Sequence, residues 1–375
     1  MKRLSLFFVA VILFTVSACK KSDNANDDQL NHTQPDPLRA ADGFVTLKSG
    51  IVVKKEGDKF FWLGDISLSP AQLKDLDEKG SFFSEKPSYL GPEKTVNPVL
   101  NIPVEAGENN TVIPRAFGVY PTSYNLWAMV RFRYANDLTS DRQYIAQQAM
   151  LNWQANSNVR FYNATNQPTQ DPTYGFPYPY IEFTNSTVNR SPVGRQPQQG
   201  SGATAGRQIL ELAQYQPVYV AIHEIGHAIG LFHEQSRYDR DNIINVNLSN
   251  VDPDNQHNFQ KITTNYYAIG SFDFNSVMVY GSFDFAVNPN IPVLSKKSDN
   301  STWSQGQVLT SLDKAWGNTF YIPYIARSDT YAELDQTVYK TDGTIMTAQE
   351  RSSFQTQLNN GNPNPPNCCR IPNTL

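Results

Sequence analysis

The sequence predicts an α+β fold of two subdomains with a cleft between them. Ahead of residue 230 the chain supplies short strand-like runs and two main helices, whereas beyond Gly230 it is mostly irregular. At that division stands His223 to Glu234, H-E-I-G-H-A-I-G-L-F-H-E, with polar side chains at the spacing of metal ligands. Strands and helices above, irregular chain below and a metal site at the junction describe a cleft with the metal at its floor.

Composition sets the outer bounds. The 375 residues, 39% hydrophobic and 18% charged, suit one or two domains with a proper core. A net charge of -4, with no basic run interleaved with aromatics, favours no nucleic-acid partner.

Residues 1–19 form a targeting segment: Lys2 and Arg3, an apolar run from Leu4 to Val16 too short to span a bilayer, then Ser17, Ala18 and Cys19. Small residues directly before a cysteine resemble the bacterial lipobox, in which Cys19 becomes the lipidated first residue; cleavage near Ala18 in an ordinary signal peptide is the alternative. Both predict export, with membrane attachment only through a lipid on Cys19. Residues 20–43, rich in Asn, Asp and Gln, form a flexible tether. Strand-like runs follow at Thr46-Leu47-Lys48, Ile51-Val52-Val53 and Phe60 to Ile66. A helix begins after Ser69, with Pro70 in its first turn and Gln72 at the capping-box position, and Gly80 stops it. Between Glu93 and Tyr120 prolines and asparagines mark an exposed, cleavable connector.

Ala128 to Tyr134 alternates as a strand. Ser140-Asp141-Arg142-Gln143 reads as a capping box for a helix to about Asn156, with Ile145, Ala149 and Trp153 on one face. Val159 to Tyr162 and Tyr180 to Phe183 are short strands, and Pro217 suits the first turn of the next helix, whose apolar residues are Val218, Ala221, Ile222 and Ile225. That helix carries His223 and His227 at i and i+4, one turn apart on one face, close enough to share a metal. Glu224, one step round, is no same-face ligand and stands where a base can reach a water at the metal. Six residues past His227 a continuous helix would carry a side chain to the wrong face; Gly230 can end the helix in a left-handed conformation and bring His233 back to the metal. Three of the chain's 5 histidines fall in this stretch. Three neutral imidazoles leave one position open, the mark of a catalytic zinc (Zn2+), whose water has a pKa of about 7 and needs only modest basicity from Glu224.

H-E-x-x-H-x-x-G-x-x-H is the metzincin signature, and the residues from Glu234 to Asn242 resemble the astacin family. Ser276-Val277-Met278-Val279-Tyr280 resembles that family's Met-turn, and Gly306 to Asp313 the segment closing its second subdomain. The resemblance covers roughly residues 115 to 325. It implies a two-subdomain zincin fold with a mixed twisted sheet, a zinc metalloendopeptidase acting on protein or peptide substrates, Met278 packed beneath the imidazoles, and Tyr280 as a possible further metal ligand that swings to the oxyanion. Trp62-Leu63-Gly64-Asp65 resembles the F-x-G-D of astacin pro-segments, implying that Asp65 takes the open metal position in a latent zymogen; a plain Gly-Asp turn is the alternative. Maturation is nominated at Arg115-Ala116, and the new N-terminus would fold inward to Glu234. The organisation expected is therefore signal 1–19, tether 20–43, inhibitory pro-segment 44–115, protease domain 116–327 and a tail, 328–375. Thr347 to Leu358 is helix-like, and Cys368 and Cys369, adjacent, are as readily free or intermolecular as paired.

Two departures stand out: position 279 is Val where the family usually has His, and the cysteines of the family's catalytic-domain disulfides are missing. A catalytically inactive binding protein and a non-proteolytic zinc hydrolase are the competing classes; the intact Glu224 and all three histidines argue against the first. No obligate protein partner is evident. Gly281 to Pro292 contains no basic residue that would announce acidic targets.

Overall fold

The computed structural model describes residues 43–82, 116–119, 127, 130–170, 178–196 and 206–321, together with 89–91, 95–97, 102–104 and the single positions 204, 347 and 349. The signal segment with Cys19, the tether up to residue 42, Arg115, nearly all of the helix-like stretch Thr347 to Leu358, and Cys368 and Cys369 lie outside the described residues.

Strands β1 (Gly43–Thr46), β2 (Val52–Glu56), β3 (Lys59–Trp62) and β4 (Ile66–Leu68) form an antiparallel meander. The run expected at Thr46-Leu47-Lys48 is cut short. Leu47 N–H bonds back to Ile51 O at 2.8 Å and Gly50 takes a positive φ of 84°, so the chain turns immediately after Thr46. Helix α1 (Pro70–Lys79) carries the full capping box between Ser69 and Gln72 and ends at Gly80 with φ 68°. Gln72 also accepts from Gln196 Nε2 at 2.7 Å and donates to Val193 O at 3.4 Å, so the residue that closes the cap docks the helix on the body.

Three short strands, β5 (Tyr89–Gly91), β6 (Thr95–Asn97) and β7 (Ile102–Val104), precede β8 (Phe117–Val119). The end of the expected connector is not exposed: Ala116, Phe117 and Val119 are buried. The reason is pairing. β8 lies antiparallel to β15 (Tyr266–Ile269), and Val119 N–H bonds to Gly230 O.

β9 (Val130–Tyr134), β10 (Phe161–Asn163), β11 (Tyr180–Asn185) and β13 (Arg207–Leu212) form a sheet in the order β10-β9-β11-β13, every pair parallel. Its mixed character enters at the edge. β12 (Ser191–Pro192) pairs in parallel with β4, and the preceding Arg190 bridges antiparallel to Glu211. The upper sheet is thus joined to the N-terminal meander.

Helix α2 (Ser140–Asn156) buries Ile145, Ala149 and Trp153 as expected and packs on α3 (Val218–Ala228), with Trp153 Nε1 donating to Ile222 O at 2.9 Å. Its start differs. The N-cap is Thr139, and its side chain makes no cap bond, because its hydroxyl meets Asn185 Oδ1 and Arg142 Nη1 instead; the expected Ser140 box does not form. Pro217 likewise occupies the N-cap of α3, one position before the first turn. Beyond Gly230 the chain is mostly turns and single-turn helices, with the two-stranded β14 (Ile244–Val246) and β16 (Leu294–Lys296). It closes with α4 (Ser311–Phe320), capped by Thr310 and Asp313.

Candidate metal centre

Helix α3 ends where the second half of the metal motif needs it to end. Ile229 leaves helical geometry at φ -92°, ψ 4°, and Gly230 has φ 110°. A Cβ at Gly230 would lie 3.1 Å from Trp316 Cζ2 and 3.2 Å from Val119 Cγ2, so glycine is required here by conformation and by crowding. The carbonyl of Ile229 is not left unpaired, since Trp316 Nε1 and Tyr321 Oη both donate to it at 2.8 Å.

The turn delivers His233 to the pair on the helix. The three Nε2 atoms form a triangle with edges of 3.1 Å (His223 to His227), 3.2 Å (His227 to His233) and 3.2 Å (His223 to His233). Asp65 closes it from the meander: Oδ2 lies 3.2 Å from His233 Nε2 and 3.4 Å from His223 Nε2, and Oδ1 lies 3.5 Å from His227 Nε2. Four ligands about 2.0–2.1 Å from a tetrahedral zinc stand about 3.3 Å from one another, so this cage has the dimensions of a zinc site. The tautomers suit it as well. Nδ1 of His223 and of His227 bond to Val277 O and Leu231 O, each at 2.8 Å, which turns both Nε2 lone pairs inward. Asp65 Oδ1, Glu224 Oε2 and His233 Nδ1 are buried without a hydrogen-bond partner, the condition of a polar cluster built around something further.

Burial pushes the His233 imidazole down to about 4, against the opposing pull of Asp65. Burial alone would raise the Asp65 carboxyl, but the imidazoles of His233 and His227 hold it well below the carboxylate range. Burial, then the Asp65 charge, raises Glu224 well above its ordinary value.

Asp65 reaches the cage on the tip of a hairpin. Trp62 pairs with Ile66 across a three-residue turn in which Leu63 has φ 51° and Gly64 φ 98°. A Cβ at Gly64 would meet Tyr280 Oη at 3.0 Å and Asn258 at 3.2 Å. The Gly-Asp of the motif is therefore a turn, and one inserted among the three histidines.

Tyr280 does not stand in the cage. Its ring lies 4.6 Å from that of His233, and its hydroxyl donates to Leu63 O at 2.9 Å, in the hairpin itself. Met278 is buried beneath the helix, and a Cβ at Gly226 would fall 2.5 Å from its Sδ. Its carbonyl accepts from Glu234 N–H at 2.9 Å. Glu234 Oε1 accepts from Asp273 N–H at 3.1 Å, and burial lifts this carboxyl to about 7 with Arg237 opposing. Glu234 and Ala116 are both among the residues around one narrow internal gap. Val279, in place of the usual His, is buried in the lower apolar cluster with Phe259 and Phe272.

Two residues at the site had been given no role there from the sequence. Asp313, the capping residue of α4, accepts from Ser276 Oγ at 2.6 Å and Val277 N–H at 3.1 Å, pinning the turn that holds Met278; the T-x-x-D pattern at Thr310 was its signal. Arg190 lines a cleft of ≈ 560 Å³ beside His223, Glu224 and Tyr280, and no local pattern marks it.

Comparison with known proteins gives a consistent match. The family model for Astacin, a peptidase family, matches residues 120–322. Flavastacin from Elizabethkingia meningoseptica is 36% identical over 176 residues, 46% of this chain and 35% of that protein. Protein SpAN from Strongylocentrotus purpuratus is 33% identical over 187 residues, 49% of this chain and 29% of that one. The chain thus spans about a third of the length of these relatives. Among solved structures, high choriolytic enzyme 1, a hatching enzyme zinc-protease from Oryzias latipes, matches at 20% identity and a TM-score of 0.44, over 54% of this chain and 97% of that one.

Proposed function

The chain belongs to the astacin family of zinc metalloproteases, and on that premise we propose that it is an exported endopeptidase made as a latent zymogen, with residues 44–115 as pro-segment and 116–327 as the protease. One observation carries the latency: the Asp65 carboxylate closes the histidine triangle at 3.2 to 3.5 Å. His223, His227 and His233 would hold one zinc, and Asp65 would fill its fourth position until the pro-segment leaves. When bound, zinc supplies Lewis acidity, polarising a peptide carbonyl and acidifying a water.

The chain's own groups do the rest. Glu224, buried beside the cage, takes a proton from the attacking water and returns it to the leaving amine. Tyr280, whose hydroxyl donates to Leu63 O in the latent form, can donate that hydrogen bond to the oxyanion once Leu63 is gone. The pro-segment also blocks the cleft edge, since β4 pairs with β12 and Ser191 N–H bonds to Asp65 O at 3.0 Å. Residues 1–19 support export, with Cys19 as the lipid-bearing residue; Cys19→Ala should abolish labelling by a radioactive fatty acid.

The test is metal analysis beside casein digestion, on wild type and Glu224→Gln cleaved at the connector. Both should contain one zinc per chain, and Glu224→Gln should lose nearly all digestion, because a base is removed and no ligand is. Wild-type turnover in Glu224→Gln would refute the mechanism.

A further inference from the structure

The meander holds one wall of the cleft by charge and the other by a ring. On the first, Arg190 meets Glu56 in a two-pronged pair, Nη1 to Oε2 at 2.7 Å and Nη2 to Oε1 at 3.0 Å. On the second, Phe44 lies against His257, with ring centres 4.8 Å apart and planes tilted by 50°. Phe44 is an unusual residue for its place. It stands on β1, the edge strand of the meander's sheet, on the face opposite the buried Val45, where a polar side chain is the rule. Its register partner is Lys54, which lines the cleft. The Phe44 ring stays 41% exposed, so the contact does little to bury it; what it covers is His257, which is 8% exposed.

Phe285 enters the same cleft from the loop after the Met-turn, with a φ of 62°. A bulky side chain is rare in that left-handed region and persists only where its surroundings impose it. Here they do. The ring packs on Tyr280 at 5.3 Å and on Phe259 at 5.9 Å, Gly281 N–H donates to Asp284 Oδ2 at 2.8 Å, and Ala286 bridges to Val251. An aromatic ring, still partly exposed, is thereby fixed in the cleft wall. Phe259 links it to His257, two residues back on the short helix Pro253–Phe259. Phe283, Val287 and Ile291 extend the exposed apolar surface along the same loop.

We infer that His257 and Phe285 form an aromatic subsite for the substrate, and that Phe44 covers its His257 face in the latent form. The inference rests on the peptidase reading and adds a side-chain class that the cleft selects. The subsite stands off from the reacting atoms, because Tyr280 lies between, 4.6 Å from the ring of His233 and 5.3 Å from that of Phe285. When residues 44–115 depart, His257 loses its cover while Phe285 is still held by groups of the protease. A flat ring placed there regains the contact that Phe44 made and adds edge or offset contacts with Phe285, which a small or charged side chain cannot match.

The test uses the full chain, zinc-loaded and cleaved at the connector, on a peptide series in which one Phe is moved through the positions on both sides of the cut bond. At one position Phe should raise kcat/KM about tenfold or more over Ala, through KM. His257→Ala and Phe285→Ala should each bring that ratio to within about twofold, whereas His257→Phe, which keeps a ring, should retain it. His257→Gln, near in size and without a ring, repeats the first test should the alanine variant fail to fold. In parallel, calorimetry on the cleaved Glu224→Gln protein measures binding of the uncut Phe and Ala peptides, with and without His257→Ala. No position that prefers Phe, or a preference that survives the loss of either ring, overturns the inference. Binding of a Phe peptide through His257 with no cleavage by wild type would sustain the subsite and overturn the peptidase reading instead.

Discussion

At Gly64 a Cβ would press on the side chains of Tyr280 and Asn258 at 3.0 and 3.2 Å, tighter than ordinary contact, and its φ of 98° is one that L residues rarely adopt. Gly64→Ala should therefore cost about 1–3 kcal/mol in the uncleaved protein. The cheaper relief is to pull the hairpin tip back, so the variant should also leak peptidase activity before cleavage. Thermal melts with casein digestion check both; an unchanged melting temperature would mean that the close approach is not maintained. His233→Ala should lose zinc by elemental analysis once residues 44–115 are cut away, since only two imidazoles then remain to hold it. At this scale the histidine cluster was legible because helical spacing alone puts His223 and His227 on one face, and because Gly230 announces the break that His233 requires. The hydrogen bond from Tyr280 to Leu63 was not legible. It joins residues 217 positions apart, and nothing local to either one marks it.

The meander and α1 act as one clamp, and its ion pair should carry a pH signature. The Arg190 hydrogen bonds, with those of Lys54, lower Glu56 from 4.5 to about 2. A depressed carboxyl contributes stability above its unfolded value that is lost as pH falls through its folded one. The stability difference between uncleaved wild type and Glu56→Gln should thus be full above about pH 4.5 and fade toward pH 2. Urea melts across that window measure it, and a difference independent of pH would contradict the pair. Elements were legible where sequence neighbours decide them: Ser69, Pro70, Gln72 and Gly80 marked α1 at both ends. They were misplaced where a distant partner decides. Thr139 spends its hydroxyl on Asn185, so the cap at α2 moves and its box is lost, and Phe117 is buried because β15 and Leu231 receive its strand.

Over the whole molecule, residues 45–82 share one apolar core with the proposed protease domain. Trp62 and Phe82 pack edge-on at 5.1 Å, and both rings reach Phe232, the residue before His233, at 6.1 and 6.2 Å. On the proposed reading, latency would rest on the assembled core as well as on Asp65, and loss of the segment should expose Phe232. The cleaved protein should bind an apolar dye more strongly than the uncleaved one, and equal dye fluorescence would show that the shared core persists. This joint core was hidden in the sequence, where the segment reads as an independent piece ahead of a connector. The central claim is that Asp65 closes a catalytic zinc site, and the most direct measurement is casein digestion by uncleaved, zinc-loaded wild type beside uncleaved Asp65→Ala, with gels verifying that both retain their N-terminal segment. Wild type should be silent and Asp65→Ala partly active, the remaining block coming from β4 on the cleft edge; equal activity in the two, whether both silent or both active, would contradict the account.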